Sequence, residues 1–174
     1  DFSTDVVSGG TVLYAKWTVN QYTIVFDANG ATGDVPAEIT EDYNSFVTLP
    51  DVGNLAKTGH TFGGWSLIAD GTAIESPYTM TGNVTLYAVW TVNQYTITWN
   101  VDGAETTESY DYGATPAFTG STGKAATAQY TYTFTGWSPA IAAVAGDQTY
   151  TAQYSETVNQ YTITWNVDGA ETTE

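Results

Sequence analysis

The chain has 174 residues, with three Lys and Arg against nineteen Asp and Glu, a formal net charge of −16 and a pI near 4.1. Such a charge repels phosphate and excludes nucleic acid as a partner, and the absence of cysteine excludes a disulfide scaffold and a cysteine-type zinc centre. With 42% hydrophobic residues the chain is too apolar for disorder, yet no apolar run reaches the roughly 20 residues a bilayer-spanning helix needs, so no membrane insertion is expected in this segment.

In chain order, the first recognisable element is a closing strand. Thr11-Val-Leu-Tyr-Ala-Lys-Trp17 matches Val84-Thr-Leu-Tyr-Ala-Val-Trp90 at an offset of 73, so residues 1–17 read as the C-terminal end of a preceding repeat. The phrase Thr18-Val-Asn-Gln-Tyr-Thr-Ile24 then recurs at 91 and 157, and residues 91–108 are identical to 157–174 over eighteen positions. Repeat A therefore spans 18–90, repeat B spans 91–156, and 157–174 is the start of a following repeat. The chain is expected to be a window cut from a longer tandem array.

Each repeat opens on a period-two strand. In Tyr22-Thr-Ile-Val-Phe26, Tyr95-Thr-Ile-Thr-Trp99 and Tyr161-Thr-Ile-Thr-Trp165, large apolar residues alternate with Thr or Val, which suits a strand with one buried face. The closing strands alternate likewise, with Leu86, Ala88 and Trp90 on one face of repeat A and Tyr150, Ala152 and Tyr154 on one face of repeat B. Turns fall at Asp27-Ala-Asn-Gly30, Asp70-Gly71, Asp102-Gly103 and 119–123, where Asn-Gly and Asp-Gly tolerate positive φ. Residues 36–42, 51–57 and 140–145 are the stretches with helical or irregular character. The expected fold class is thus mainly β, in the α+β sense of a small sheet crossed on one face by a short helix or turn.

Repeats of 66 to 73 residues sit near the lower limit for an independent core. Six Trp, thirteen Tyr and six Phe offset this, since each aromatic side chain can bury roughly 150–250 Å².

Three motifs in repeat A carry a family likeness: Tyr22-Thr-Ile-Val-Phe-Asp-Ala-Asn-Gly30, Thr58-Gly-His-Thr-Phe-Gly-Gly-Trp65 and Val84-Thr-Leu-Tyr-Ala-Val-Trp90. In order and spacing they resemble the Listeria/Bacteroides repeat, or internalin B-repeat, family of bacterial cell-surface proteins. Repeat B is similar to a divergent relative, with Asn100-Val-Asp-Gly103 and Tyr154 at the corresponding places and Tyr130-Thr-Tyr-Thr-Phe-Thr-Gly-Trp137 retained. The resemblance implies a β-grasp-like module and a cell-surface or cell-wall location and does not imply a catalytic site; no cofactor is expected.

Residue by residue, the sequence argues against an enzyme. His60 aligns with Tyr132, so the position accepts a phenol, which could not serve as the base of a catalytic triad. Asp102 and Glu105 return as Asp168 and Glu171, as architecture would and a single active site would not. For a metal, calcium is the candidate, with oxygens from Asp27, Asn29, Asp34, Asp102 and Asp111 in or near turns, although ordinary Asx turns explain the same residues. For a ligand, the candidate exposed aromatics are Tyr14, Tyr87, Tyr110 and Tyr112. Lys57 and Lys124 are the lysines that an intramolecular isopeptide link could use.

The resulting functional expectation is a non-enzymatic, extracellular, semi-rigid stalk segment whose partners are the neighbouring repeats of its own polypeptide. An adhesin module that binds a surface glycan or protein, and a filament subunit that joins other copies end to end, are the rival readings.

Overall fold

The structure is a computed structural model that describes residues 14–173; of the closing strand expected at 11–17, residues 11–13 lie outside the described residues and 14–17 are exposed and form no strand. The chain divides into two compact units. One comprises residues up to Ala56 together with Phe62–Trp90, and the other comprises Lys57–Thr61 together with residues from Thr91 onward.

The first unit is built on a four-stranded sheet with the order β2-β1-β6-β4, from β1 (Gln21–Asp27), β2 (Ile39–Asp42), β4 (His60–Ser66) and β6 (Val84–Val92). β1 runs antiparallel to β2 and parallel to β6, and a short pair, β3 (Phe46–Val47) with β5 (Tyr78–Thr79), closes one side. The second unit repeats the plan as β8-β7-β10-β9, from β7 (Gln94–Val101), β8 (Ala104–Asp111), β9 (Tyr130–Ser138) and β10 (Gln148–Val158). In the second unit the central pair is parallel and both outer pairs are antiparallel, and its strand order corresponds to that of the first. A final hairpin joins β11 (Thr164–Val167) to β12 (Ala170–Thr173).

Among the described residues there is no helix, which corrects the α+β, β-grasp-like expectation to a mainly β fold. The three stretches expected to be helical or irregular contain β2, a tight turn with an isolated bridge at Ala56, and an extended loop at 140–145. The reason is local. Pro36 precedes β-pairing at Ile39, Gly53 breaks the second stretch, and Ala140 to Ala145 follows Pro139 with too few residues to nucleate a helix.

The parallel pairs need a long crossover, and the residue just before the returning strand fixes the register. The Thr23 amide donates to Asn83 Oδ1 at 2.9 Å, and the Thr96 amide donates to Asp147 Oδ1 at 2.8 Å. Each Asx side chain thereby supplies one more rung to its ladder.

The period-two faces pack as expected. Ile24, Phe26, Leu86 and Ala88 are buried with Trp65 and Met80 in the first unit, and Ile97, Trp99, Val144 and Tyr150 are buried in the second. The Trp65 ring lies 4.7 Å from Phe26 in a tilted contact and 5.3 Å from Phe62 in an edge contact, while its indole N–H donates to the Pro50 carbonyl at 2.7 Å. Trp99 centres the other core, 4.8 Å from Trp137, 5.1 Å from Tyr150 and 5.3 Å from Phe118.

The Phe-x-Gly-Trp motif now has a physical meaning. Phe and Trp three residues apart would face opposite sides of a regular strand. Gly64 and Gly136 adopt φ of 117° and 141°, which shifts the strand by one residue and puts Phe62 with Trp65, and Phe134 with Trp137, in edge contact on the same face. Opposite Gly136 the β9–β10 ladder itself slips in register between Gln153 and Tyr154.

Candidate functional site

The repeated phrase Val-Asn-Gln-Tyr marks the feature that sequence reasoning did not single out. Its asparagine is a hydrogen-bond node. In the second unit the Asn93 amide donates to the Gly59 carbonyl at 2.8 Å, the Thr61 hydroxyl donates to Asn93 Oδ1 at 2.6 Å, and the Tyr112 amide donates to the Asn93 carbonyl at 2.8 Å. Two of these three bonds recur one repeat later, where the Asn159 amide donates to the Gln129 carbonyl at 2.8 Å and the Thr131 hydroxyl donates to Asn159 Oδ1 at 2.7 Å; there Asn159 Nδ2 also donates to the Thr127 carbonyl at 2.8 Å. In the first unit the Asn20 carbonyl likewise accepts from the Tyr43 amide at 2.8 Å.

Geometry explains why the residue is Asn. Its backbone continues the ladder of the strand that has just ended, and its short amide side chain reaches sideways to the hydroxyl of the neighbouring strand. Only the threefold return of the phrase could have flagged it from sequence. Thr131→Val removes the donor to Asn159 and should cost about 1 kcal/mol, raising amide exchange at Asn159 about fivefold, with the exposed Thr133→Val as an unaffected control.

The calcium candidates are held apart in separate contacts. Asp27 accepts from the Asn29 amide at 2.7 Å, and Asn29, at φ 49°, donates to the carbonyls of Ala69 and Ala88. Asp34 accepts from Asn54, Asp111 accepts from Gln94, and Asp102 pairs with Lys124 at 3.0 Å. Among the described residues no group of three or more His, Cys, Asp or Glu is placed to hold a metal ion.

The tyrosine candidates separate as well. Tyr14 is 88% exposed, whereas Tyr87, Tyr110 and Tyr112 are half-buried. Tyr112 packs against Gly59, where an added Cβ would lie 2.0 Å from the phenol ring. Tyr110 donates to Glu108 Oε2 at 2.6 Å, and this carboxylate, helped by desolvation, raises the phenol's pKa above its ordinary value. Lys124 lies 4.5 Å over the Tyr132 ring, and its hydrogen bond to Asp102 raises its pKa above the ordinary value. His60 Nδ1 lies 2.8 Å from the Thr58 carbonyl, a local turn contact.

One substitution between repeats leaves a mark. Trp90 donates its indole N–H to the Ala28 carbonyl at 3.0 Å, but Tyr154, at the same place in repeat B, has a buried hydroxyl with no hydrogen-bond partner.

The fold and this node define a tandem array of small, mainly β repeats. Residues 22–89 match the model of the Listeria-Bacteroides repeat domain and are a repeat of that family. The chain is 36% identical over 114 residues to a Gly-rich membrane protein of Evansella cellulosilytica, covering 64% of this chain and 13% of that protein. It is 30% identical over 144 residues to Internalin H of Listeria monocytogenes, covering 78% of this chain and 24% of that protein. The chain thus spans about a quarter or less of the length of these relatives. Among solved structures, domains 3-4 of the Streptococcal High Identity Repeats in Tandem from a cell surface protein align over 80% of this chain and 99% of that one, at 16% identity and a TM-score of 0.34. No helix among the described residues is long and apolar enough to cross a membrane.

Proposed function

We propose that this segment is a non-enzymatic, semi-rigid stalk or spacer in a large extracellular protein of a bacterial surface. The carrying observation is the asparagine node, which recurs where one repeat's ladder ends and the next repeat's first strand begins. β6 ends at Val92 and β7 begins at Gln94, so Asn93 alone connects them and its own hydrogen bonds are satisfied. A connection of one residue leaves no room for the longer polar linker that a flexible tether needs.

Reach is then the mechanism. A unit of this size is about 30 Å across, so a dozen in line would project a distal domain several hundred ångströms. The charge of −16 keeps neighbouring stalks apart and soluble. Likeness to Internalin H and to a membrane protein supports a place at the cell surface.

The filament reading draws on a different observation, the exposure of Ile163 and Trp165 on the β11–β12 segment. Small-angle scattering across a concentration series separates the two. An elongated particle of constant length is the expected result, and growth into longer rods with concentration would replace the stalk reading with self-assembly.

A further inference from the structure

Repeat B contains a carboxylate where the fold calls for an apolar side chain. Glu108 pairs across the ladder with Ile97, which is fully buried, and in repeat A the partner of the equivalent Ile24 is Ile39. A charge at a core-facing register position is unfavourable unless it is hydrogen-bonded. Here Glu108 Oε2 accepts from the Tyr110 hydroxyl at 2.6 Å and from the Trp99 indole at 3.3 Å, which leaves Oε1 available.

Glu108 lines an open groove of about 560 Å³ between the β7–β8 hairpin and the loop at 118–123. Val101, Ala104 and Phe118 supply apolar surface, while Thr106 and Ser121 supply hydroxyls. The groove is pre-formed. Phe118 is braced at 5.3 Å from Trp99 and 5.0 Å from Trp137, and Gly120 lies so close to its ring that a Cβ there would stand 2.5 Å away. The volume falls within the roughly 300–1,000 Å³ of small-ligand clefts, which combine an apolar lining with a few fixed polar groups.

The lining selects the ligand class. Asp102 and Glu108 repel anions, which removes phosphate and acidic sugars. Asp102 is paired with Lys124, and Glu108 has one oxygen taken by Tyr110 and Trp99, so the two together fall short of the roughly six to eight oxygens that a calcium ion takes. An aromatic ring beside a carboxylate acceptor and two hydroxyls complements a molecule with an apolar C–H face and a hydroxyl edge.

We propose that this groove, which is absent from the stalk reading and independent of it, binds one or two rings of a neutral pyranoside glycan. The sugar's C–H face packs on Phe118, and its hydroxyls donate to Glu108 Oε1 and exchange hydrogen bonds with Thr106 and Ser121. A single site of this openness binds weakly, with Kd on the order of 1 mM, and repetition along an array multiplies the retention.

The test titrates the 174-residue protein, with amides followed by NMR, against cellobiose, lactose and N,N′-diacetylchitobiose, with glucuronic acid as the anionic comparator. Saturable shifts confined to residues 101–108 and 118–123 with at least one neutral disaccharide, and none with glucuronic acid, are expected. Thr106→Trp, on an exposed strand position, fills the groove and should abolish the shifts, and Glu108→Gln should weaken binding about tenfold. Unchanged amide resonances across β9 and β10, away from both substitutions, show that the fold persists. Absence of shifts with all three disaccharides, equal shifts in Thr106→Trp, or preference for glucuronic acid would overturn the proposal.

Discussion

Trp99→Ala should destabilise the second unit by about 3–5 kcal/mol, a large fraction of what a repeat of this size possesses. The indole is fully buried and touches Phe118, Trp137 and Tyr150, and its N–H is one of two donors to the Glu108 carboxylate. Truncation therefore opens a cavity at the centre of an aromatic cluster and weakens the satisfaction of a half-buried charge. Urea denaturation followed by the amide resonances of residues 94–158 reads the loss. Trp99→Phe, which restores most of the volume and matches Phe26 at the same place in repeat A, should recover more than half of it. A loss under 1 kcal/mol for Trp99→Ala would mean that the cluster does not hold the unit together.

Gly64→Ala is the second large effect, expected at about 1–3 kcal/mol from backbone strain alone. Position 64 has φ of 117°, where L residues are strained, and an added Cβ would lie 2.9 Å from the Ala73 side chain. If the backbone relaxed to avoid this, the one-residue shift that places Phe62 and Trp65 together would be lost, and with it the 5.3 Å ring contact. Gly63→Ala is the matched control. Repeat B carries Thr135 there, so a side chain is accepted and the change should stay within about 0.5 kcal/mol. Thermal melts of the two variants decide it, and equal melting temperatures would show that Gly64 is not needed for the bulge.

Much of the fold was legible because it rests on local pattern. The alternation in Tyr22 to Phe26 and Tyr95 to Trp99 named the buried faces, and the closing strands did so through Leu86, Ala88, Tyr150 and Ala152. The parallel central pairs were not legible, since two alternating strands about 60 residues apart carry no mark of their relative direction. The absent helix followed from the same gap, because a short apolar stretch suits a helix and an extended segment equally. Of the candidate ligand residues, Tyr110 and Tyr112 lie against Glu108 and Gly59, and only the packing reveals that.

The eighteen-residue copy separates the two kinds of information. Identical sequence gives an identical turn: Asp102 and Gly103 have φ of 52° and 86°, and Asp168 and Gly169 have φ of 50° and 84°. The register is the same too, Val101 opposite Ala104 and Val167 opposite Ala170. Turn type, hairpin register and repeat spacing therefore belong to the sequence alone, because neighbouring residues settle them. Burial does not. Ile97 and Trp99 are fully covered by the rest of their unit, whereas Ile163 and Trp165 are 56% and 55% exposed. Whether these side chains form a core is decided by strands 40 to 60 residues away, since removing apolar surface from water requires a second surface to meet it.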